Sequence, residues 1–257
     1  MREYEALSAS ETLAWAIATF GKAFAIATSF QKEGMAIVDL AARISPGVRI
    51  FTLDTGRLPD ETYQMMETVR TRYGATVEVV SPDRDEVERM VASHGPNLFY
   101  STVECRQMCC DVRKVRPLAR KLLEFEAWAT GLRREQSGTR AGLRRVEQVD
   151  GRIKINPLVD WTAEEVDRYT REHEVPLHPL YARGYATIGC APCTRAVGPG
   201  EDPRAGRWWW EQDARKECGI HFDVGPHPIR LNRPAGLLDL AGETPIAPLR
   251  GRSHPDA

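Results

Sequence analysis

Short apolar runs at 23–28, 48–53 and 76–80 read as buried strands, and stretches with helical spacing of apolar positions follow them at 35–43, 59–73 and 85–93. That alternation predicts βα units and an α/β fold with a doubly wound, mainly parallel sheet. Ahead of the first strand, Ser8-x-x-Glu11 has the form of a capping box that opens an amphipathic outer helix to about residue 18. Pro59 suits a first helical position. Further along, 103–123 reads as a helix with a basic face and 125–130 as a strand, and Ile153 to Ile155 leads on to Asn156-Pro157-Leu158. Thr162-x-x-Glu165 opens another helix, to about 173. Ligands of such sheets sit outside the carboxyl ends of the strands, which marks the loops after 28 and 53.

Composition narrows what can surround this frame. At 257 residues and 42% hydrophobic content, the chain can bury a sizeable core as one domain or two. Its 35 basic and 36 acidic residues nearly cancel, so a uniformly basic nucleic-acid surface is not expected. Only six of the basic residues are lysine, and the arginine fork suits a bidentate grip on phosphate or sulfate. The opening residues lack an apolar signal core, and no run of about 18 apolar residues occurs, so the expectation is a cytoplasmic chain with no membrane partner. Six cysteines in that setting point to metal binding or catalysis before disulfides. From Phe222 onward, six prolines and four glycines with few periodic apolar positions give tail composition.

Three stretches carry candidate chemistry. After the first strand, Ser29-Phe30-Gln31-Lys32-Glu33-Gly34 offers backbone N–H groups, a hydroxyl and an ammonium to an anion; it lacks the Gly-Lys-Ser/Thr end of a Walker A loop, and an ordinary βα turn is the alternative. After the strand at 125–130, Gly131 to Arg140 gathers Arg133, Arg134, Gln136, Ser137, Thr139 and Arg140 as an oxyanion pocket or a set of solvated arginines. Four cysteines, the vicinal Cys109-Cys110 and the Cys190-x-x-Cys193 loop, read as one thiolate cluster. Four thiolates suit zinc or a [4Fe–4S] group; the vicinal pair departs from the usual paired Cys-x-x-Cys knuckles of zinc, and unrelated buried thiols stay open. Lys114, one turn from Cys110, is placed to bridge the cluster and an anionic ligand. Cys218, flanked by Arg215, Lys216 and His221, reads as a nucleophile or a stray thiol. Cys105 fits no motif, His173 and His178 lack metal spacing, and of the consecutive Trp208, Trp209 and Trp210 some must face away from any one core.

These segments together, with Leu53-Asp54-Thr55-Gly56 and Lys216-Glu217-Cys218-Gly219-Ile220-His221, resemble the assimilatory adenylyl-sulfate reductases, relatives of phosphoadenylyl-sulfate reductase, in order over about 23–221. The resemblance implies an adenine-nucleotide PP-loop fold in which Ser29, Phe30, Gln31, Lys32 and Glu33 form a modified phosphate loop that no longer cleaves ATP. It implies a [4Fe–4S] cluster on Cys109, Cys110, Cys190 and Cys193. It also implies attack by the Cys218 thiolate on adenylyl sulfate, loss of AMP, and release of sulfite by thioredoxin, in sulfate assimilation and cysteine biosynthesis. Lys114, Arg140, Arg204 and Arg207 are the expected phosphosulfate grip, Leu53, Asp54, Thr55 and Gly56 with the Ser29 loop lie nearer the adenosine, and Gly131, Arg133, Gln136 and Ser137 complete the substrate pocket. The expected division is a PP-loop-like α/β domain over 1–214 carrying the iron–sulfur site and a mobile segment over 215–257 carrying the catalytic cysteine; a homo-oligomer is compatible with it. Two rivals are a PP-loop ATP pyrophosphatase that thiolates RNA with an iron–sulfur cluster, which would want Ser-Gly-Gly-x-Asp-Ser at the loop, and a zinc-stabilised binding module.

Overall fold

The computed structural model describes residues 4–211. A six-stranded sheet runs in the order β3–β2–β1–β4–β6–β5, built from β1 (Phe24–Ala27), β2 (Arg49–Leu53), β3 (Val77–Val80), β4 (Ala127–Ala129), β5 (Val146–Val149) and β6 (Arg152–Ile155). Every neighbouring pair is parallel except β5 with β6. The helices are α1 (Ala9–Phe20), α2 (Lys32–Ile44), α3 (Asp60–Tyr73), α4 (Arg84–His94), α5 (Val103–Cys110), α6 (Arg116–Leu122) and α7 (Ala163–Glu172). The mainly parallel α/β architecture is the one the apolar pattern predicts. Strand β6 and the antiparallel edge strand β5 are additions to that expectation. The two pair through a tight turn at Asp150 and Gly151, whose φ angles of 48° and 76° are both left-handed, as a hairpin of this twist requires.

Side chains alternate across the sheet with period two and so feed two cores. Phe24, Ile26, Ile50, Ala127, Ala129 and Ile155 enter the larger one, which also takes Leu13 of α1, Met35 and Ile37 of α2, and Met65 and Val69 of α3. Ala25, Phe51, Val80 and Trp128 enter the smaller one, closed by Leu122 of α6 and by Phe125. Both expected capping boxes form, at Ser8 with Glu11 and at Thr162 with Glu165. Pro59 is the N-cap of α3, one position earlier than expected, and α2 begins at Lys32 rather than at 35, shortening the loop after β1. Asp39, 1% exposed, accepts from Arg43, Tyr73 and Tyr169 and so ties α2, α3 and α7 together. Burial disfavours its carboxylate, but the bonds from Arg43 and Tyr169 outweigh that and hold its pKa below the usual value.

The helix that bears the vicinal cysteines is interrupted. Between α5 and α6, residues Asp111–Val115 form a π turn. Pro117 follows it and has no N–H for the carbonyl four residues back, and its ring would crowd that carbonyl in a regular helix; the wider turn relieves both. The basic face of this helix is bound, not merely solvated. Arg113 donates to the Thr55 carbonyl at 2.7 Å, Arg116 to Glu86 and Asp111, Arg120 to the Ser81 carbonyl, and Lys121 to Glu78 and Glu124. Glu78 also takes both Arg49 nitrogens at 2.7 and 2.8 Å, which locks α6 to the sheet edge.

The Arg49 pair, with Lys121 adding to it, holds the Glu78 carboxyl at about 2 against an ordinary 4.5. A carboxylate depressed by folding stabilises the fold above its unfolded pKa, and the stabilisation disappears as pH falls toward the folded value. Glu78→Gln is therefore expected to cost about 1–2 kcal/mol at pH 7. That gap should close between pH 4.5 and 2, as read from urea midpoints across the range; a gap independent of pH would contradict the assignment.

Among the described residues no helix is long and apolar enough to cross a membrane.

Candidate active site

Strand order reverses between β1 and β4, since β2 and β3 lie to one side of β1 and β6 and β5 to the other side of β4. A crevice forms outside the carboxyl ends of strands at such a switch point. Here it is a cleft of about 1060 Å³. The α2 N-terminus and the loop after β4 press together over the crossing: a Cβ on Gly131 would stand 2.9 Å from the Glu33 Cβ and 3.1 Å from the Gly34 nitrogen. Only glycine at 131 permits that approach.

Ser29, Gln31, Lys32 and Glu33 line the cleft, and so do Leu53, Thr55, Lys114, Gly131, Arg133, Gln136, Arg140, Arg204 and Arg207. Phe30 does not. Its φ is 57°, and its ring is wholly buried in the larger core, so it serves as the anchor that fixes the loop backbone. Asp54, Gly56 and Ser137 also stand outside the lining. Asp54 accepts from the Gly56 N–H at 2.8 Å and from the Tyr63 hydroxyl at 3.0 Å, and the Ser137 hydroxyl pairs with that of Thr139.

The polar groups of the loop after β1 are engaged by residues distant in sequence. Lys32 Nζ is 2.6 Å from Asp167, and the Lys32 N–H donates to the Tyr181 hydroxyl. Glu33 accepts from Arg133 Nε at 3.0 Å and Gln136 Nε2 at 2.9 Å, while Gln136 Oε1 accepts from Arg140 and from the Arg133 N–H. Gln31 Oε1 accepts from the Ile188 N–H, close to the Cys190 loop. Arg133 and Gln136 thus hold two loops in register, which is a positioning role. Lys114, Arg140, Arg204 and Arg207 add further positive charge to the lining of the cleft.

At the other end of the cleft the four cysteines 109, 110, 190 and 193 meet. Each is 7–8% exposed, and they share one apolar pocket with Met90, Leu98, Phe99, Val112 and Trp208. Cys190 also lines the cleft. The Thr55 hydroxyl is 3.3 Å from Cys190 Sγ, so the loop after β2 touches both the cleft and the thiols. Burial pushes the Cys193 thiol up to about 12, with Cys190 adding to the rise and Lys114 and Arg207 opposing it. Burial likewise raises Cys109, against the pull of Arg113. Among the described residues no three His, Cys, Asp or Glu side chains are grouped to hold a single metal ion. The four cysteines nevertheless belong to one buried cluster, and a polynuclear core spaces its thiolates more widely than one ion does. A water-excluding pocket of four thiols with Lys114, Arg113 and Arg207 around it fits a net-negative, thiolate-ligated group.

Cys105 packs against this pocket from outside. His178 is a structural residue, 1% exposed, with Nε2 3.1 Å from the Thr62 hydroxyl and Nδ1 accepting from the Leu180 N–H. Trp208 was expected only as one of three tryptophans, and the structure gives it a specific place. It is 1% exposed, lines the cleft, and lies between the Arg106 and Arg207 guanidinium groups at 4.6 and 4.5 Å. Arg106 pairs in turn with Glu211 at 2.5 Å, with both side chains buried. Arg207 packs on Gly189, where a Cβ would come within 2.7 Å of the guanidinium carbon. Lys154, Tyr181 and Tyr185 also line the cleft without having been singled out from the sequence; the Asp150-Gly151 turn signal would have placed Lys154 on a hairpin beside β4. Cys218, Arg215, Lys216 and His221, and with them the proposed segment 215–257, lie outside the described residues.

This mainly parallel sheet with a cleft at its switch point fits the PP-loop type of α/β fold that the resemblance implies, and solved structures share it. Candida glabrata FMN adenylyltransferase, 13% identical with a TM-score of 0.51 over 79% of this chain and 73% of its own, shares the fold alone. Phosphoadenylyl-sulfate reductase from Candida auris, solved as a phosphate complex, is 31% identical with a TM-score of 0.62 over 75% of this chain and 91% of its own. The family model for the phosphoadenosine phosphosulfate reductase domain matches residues 23–196. The chain belongs to that family. Its relatives include adenosine 5′-phosphosulfate reductases from Burkholderia cepacia, 50% identical over 82% of this chain and 84% of that one, and from Allochromatium vinosum, 50% identical over 76% and 77%.

Proposed function

We propose that the cleft reduces adenylyl sulfate to sulfite and AMP in sulfate assimilation, with Cys218 as nucleophile, a [4Fe–4S] group on Cys109, Cys110, Cys190 and Cys193, and thioredoxin as reductant. The observation that carries this reading is the meeting of four cysteines from two distant segments at one end of a nucleotide-type cleft, with Lys114 and Arg207 between them and the strand ends. The names of the relatives at 50% identity supply the substrate.

The chemistry balances with thiols alone. The Cys218 thiolate attacks the sulfate sulfur, an S–S bond forms, the S–O bond to phosphate breaks, and AMP leaves with its electron pair. Lys114, Arg140, Arg204 and Arg207 face the negative charge that builds on the phosphate oxygen in that step. A thioredoxin thiolate then attacks Cys218 Sγ and expels sulfite, and the second thiol of the dithiol resolves the mixed disulfide, so the dithiol supplies both electrons. When bound on Cys109, Cys110, Cys190 and Cys193, the iron–sulfur group would supply fixed negative charge that holds the Lys114 ammonium between it and the substrate anion. Leu53, Thr55 and the Ser29 loop remain for the adenosine.

Purified protein given adenylyl sulfate and reduced thioredoxin is expected to release AMP and sulfite in equal amounts, with a higher kcat/KM than for the 3′-phosphorylated substrate. Lys114→Ala should retain its iron and lose about 10²–10³-fold in kcat/KM, because one preorganised cation is gone from the developing charge. Pyrophosphate release from ATP, or no AMP from adenylyl sulfate, would overturn the assignment in favour of the pyrophosphatase or the binding module.

A further inference from the structure

We infer that the exposed aromatic surface formed by Tyr100, Trp209 and Trp210 is the docking surface for the dithiol protein that releases sulfite, an inference that rests on the function proposed above. Tyr100 is 40% and Trp209 47% exposed, and it is their contiguity that sets them apart from singly exposed side chains. They are not scattered. Tyr100 packs edge-on to Trp210 with ring centroids 4.5 Å apart, Trp209 packs edge-on to Trp210 at 5.5 Å, and Phe99 backs Trp210 at 6.1 Å. The surface is held rigid from beneath. The Tyr100 hydroxyl donates to the Pro192 carbonyl at 3.0 Å, inside the Cys190-to-Cys193 loop, and Trp208, the residue before Trp209, is clamped between Arg106 and Arg207.

The place of this surface along the chain identifies its occupant. Cys218 stands seven positions after Glu211 in the sequence, and seven residues span at most about 25 Å. A protein thiol that attacks Cys218 must therefore approach within that distance of Glu211, and Trp209 and Trp210 immediately precede it. Even a small transient interface covers hundreds of Å² on each partner, so the approaching protein covers ground next to the chain exit. Rigid tryptophan and tyrosine side chains are the residues on which such an interface concentrates its affinity. The fitting partner is a thioredoxin-fold dithiol carrier, docked by apolar contact beside the cysteine it must reach.

The test uses the full-length, iron-loaded protein and its Trp209→Ser and Tyr100→Ser/Trp209→Ser variants. Steady-state rates are measured at saturating adenylyl sulfate against reduced thioredoxin and, separately, against dithiothreitol. The KM for thioredoxin should rise about tenfold or more in the double variant. The rate with dithiothreitol, the iron content, and formation of the sulfo adduct without reductant should stay within about twofold, the usual scatter for a substitution away from the reacting groups. Tyr100→Phe, which keeps the ring and loses only the bond to Pro192, should behave as wild type toward thioredoxin. An unchanged thioredoxin KM in the double variant overturns the inference, as does an equal loss with both reductants, or a change of oligomeric state with unaltered thioredoxin kinetics. Failure of the wild type itself to form an adduct or to be reduced by thioredoxin would instead overturn the function on which the inference rests.

Discussion

Replacing Cys218 by serine should abolish sulfite release, with a loss of at least about 10³-fold, while leaving the iron content and the affinity for adenylyl sulfate unchanged. Serine keeps the size of the side chain but offers a hydroxyl where the reaction needs a soft thiolate at neutral pH. The four thiols of the pocket are untouched by this change, and Lys114, Arg204 and Arg207 remain in the cleft. Iron analysis, equilibrium binding of adenylyl sulfate and the sulfite rate are three separable readouts. Wild-type turnover by Cys218→Ser would place the nucleophile elsewhere.

Cys193→Ser should behave in the opposite way and lose iron and activity together. Cys193 is 8% exposed and packed with Cys109, Cys110 and Cys190, and its thiol is pushed up to about 12 chiefly by burial. As an isolated thiol it stays protonated at neutral pH; a bound iron–sulfur group is what would stabilise the thiolate there. Serine removes that ligand from a pocket with no other donor of the same kind at its position. Anaerobically purified wild type should carry about four irons per chain with brown absorption, and Cys193→Ser should be colourless. Stoichiometric zinc in place of iron in the wild type would show that the thiols hold a different metal.

The elements of the fold that are written in neighbouring residues were legible in the sequence. The capping boxes at Ser8 and Thr162 need only residues three apart, and the βα alternation needs only local periodicity. The two cysteine pairs pack into one buried cluster, which is one of the readings that their spacing left open beside unrelated buried thiols. What escaped depends on partners far along the chain. Lys32 lines the cleft and also pairs with Asp167, and Arg133 and Gln136 bond to Glu33 about a hundred residues away, partners that no local pattern shows. Phe30 sits amid loop residues in the sequence and turns into the core because its left-handed φ points the ring inward. Strand β5 is short and its sequence, Val-Glu-Gln-Val, has two polar positions in four; only the Asp150-Gly151 turn betrays it. Trp208 could not be told from Trp209 and Trp210 until Arg106 and Arg207 were found on either side of it.

Mixing the iron-loaded protein with adenylyl sulfate in the absence of any thiol reductant, then measuring intact mass and mapping peptides, tests the central claim most directly. The account predicts a gain of one SO₃ unit per chain, confined to the peptide that contains Cys218, with one AMP released for each adduct and removal of the adduct by reduced thioredoxin. An adduct on Cys105 or any pocket cysteine, or AMP release with no covalent sulfur on the protein, would contradict it.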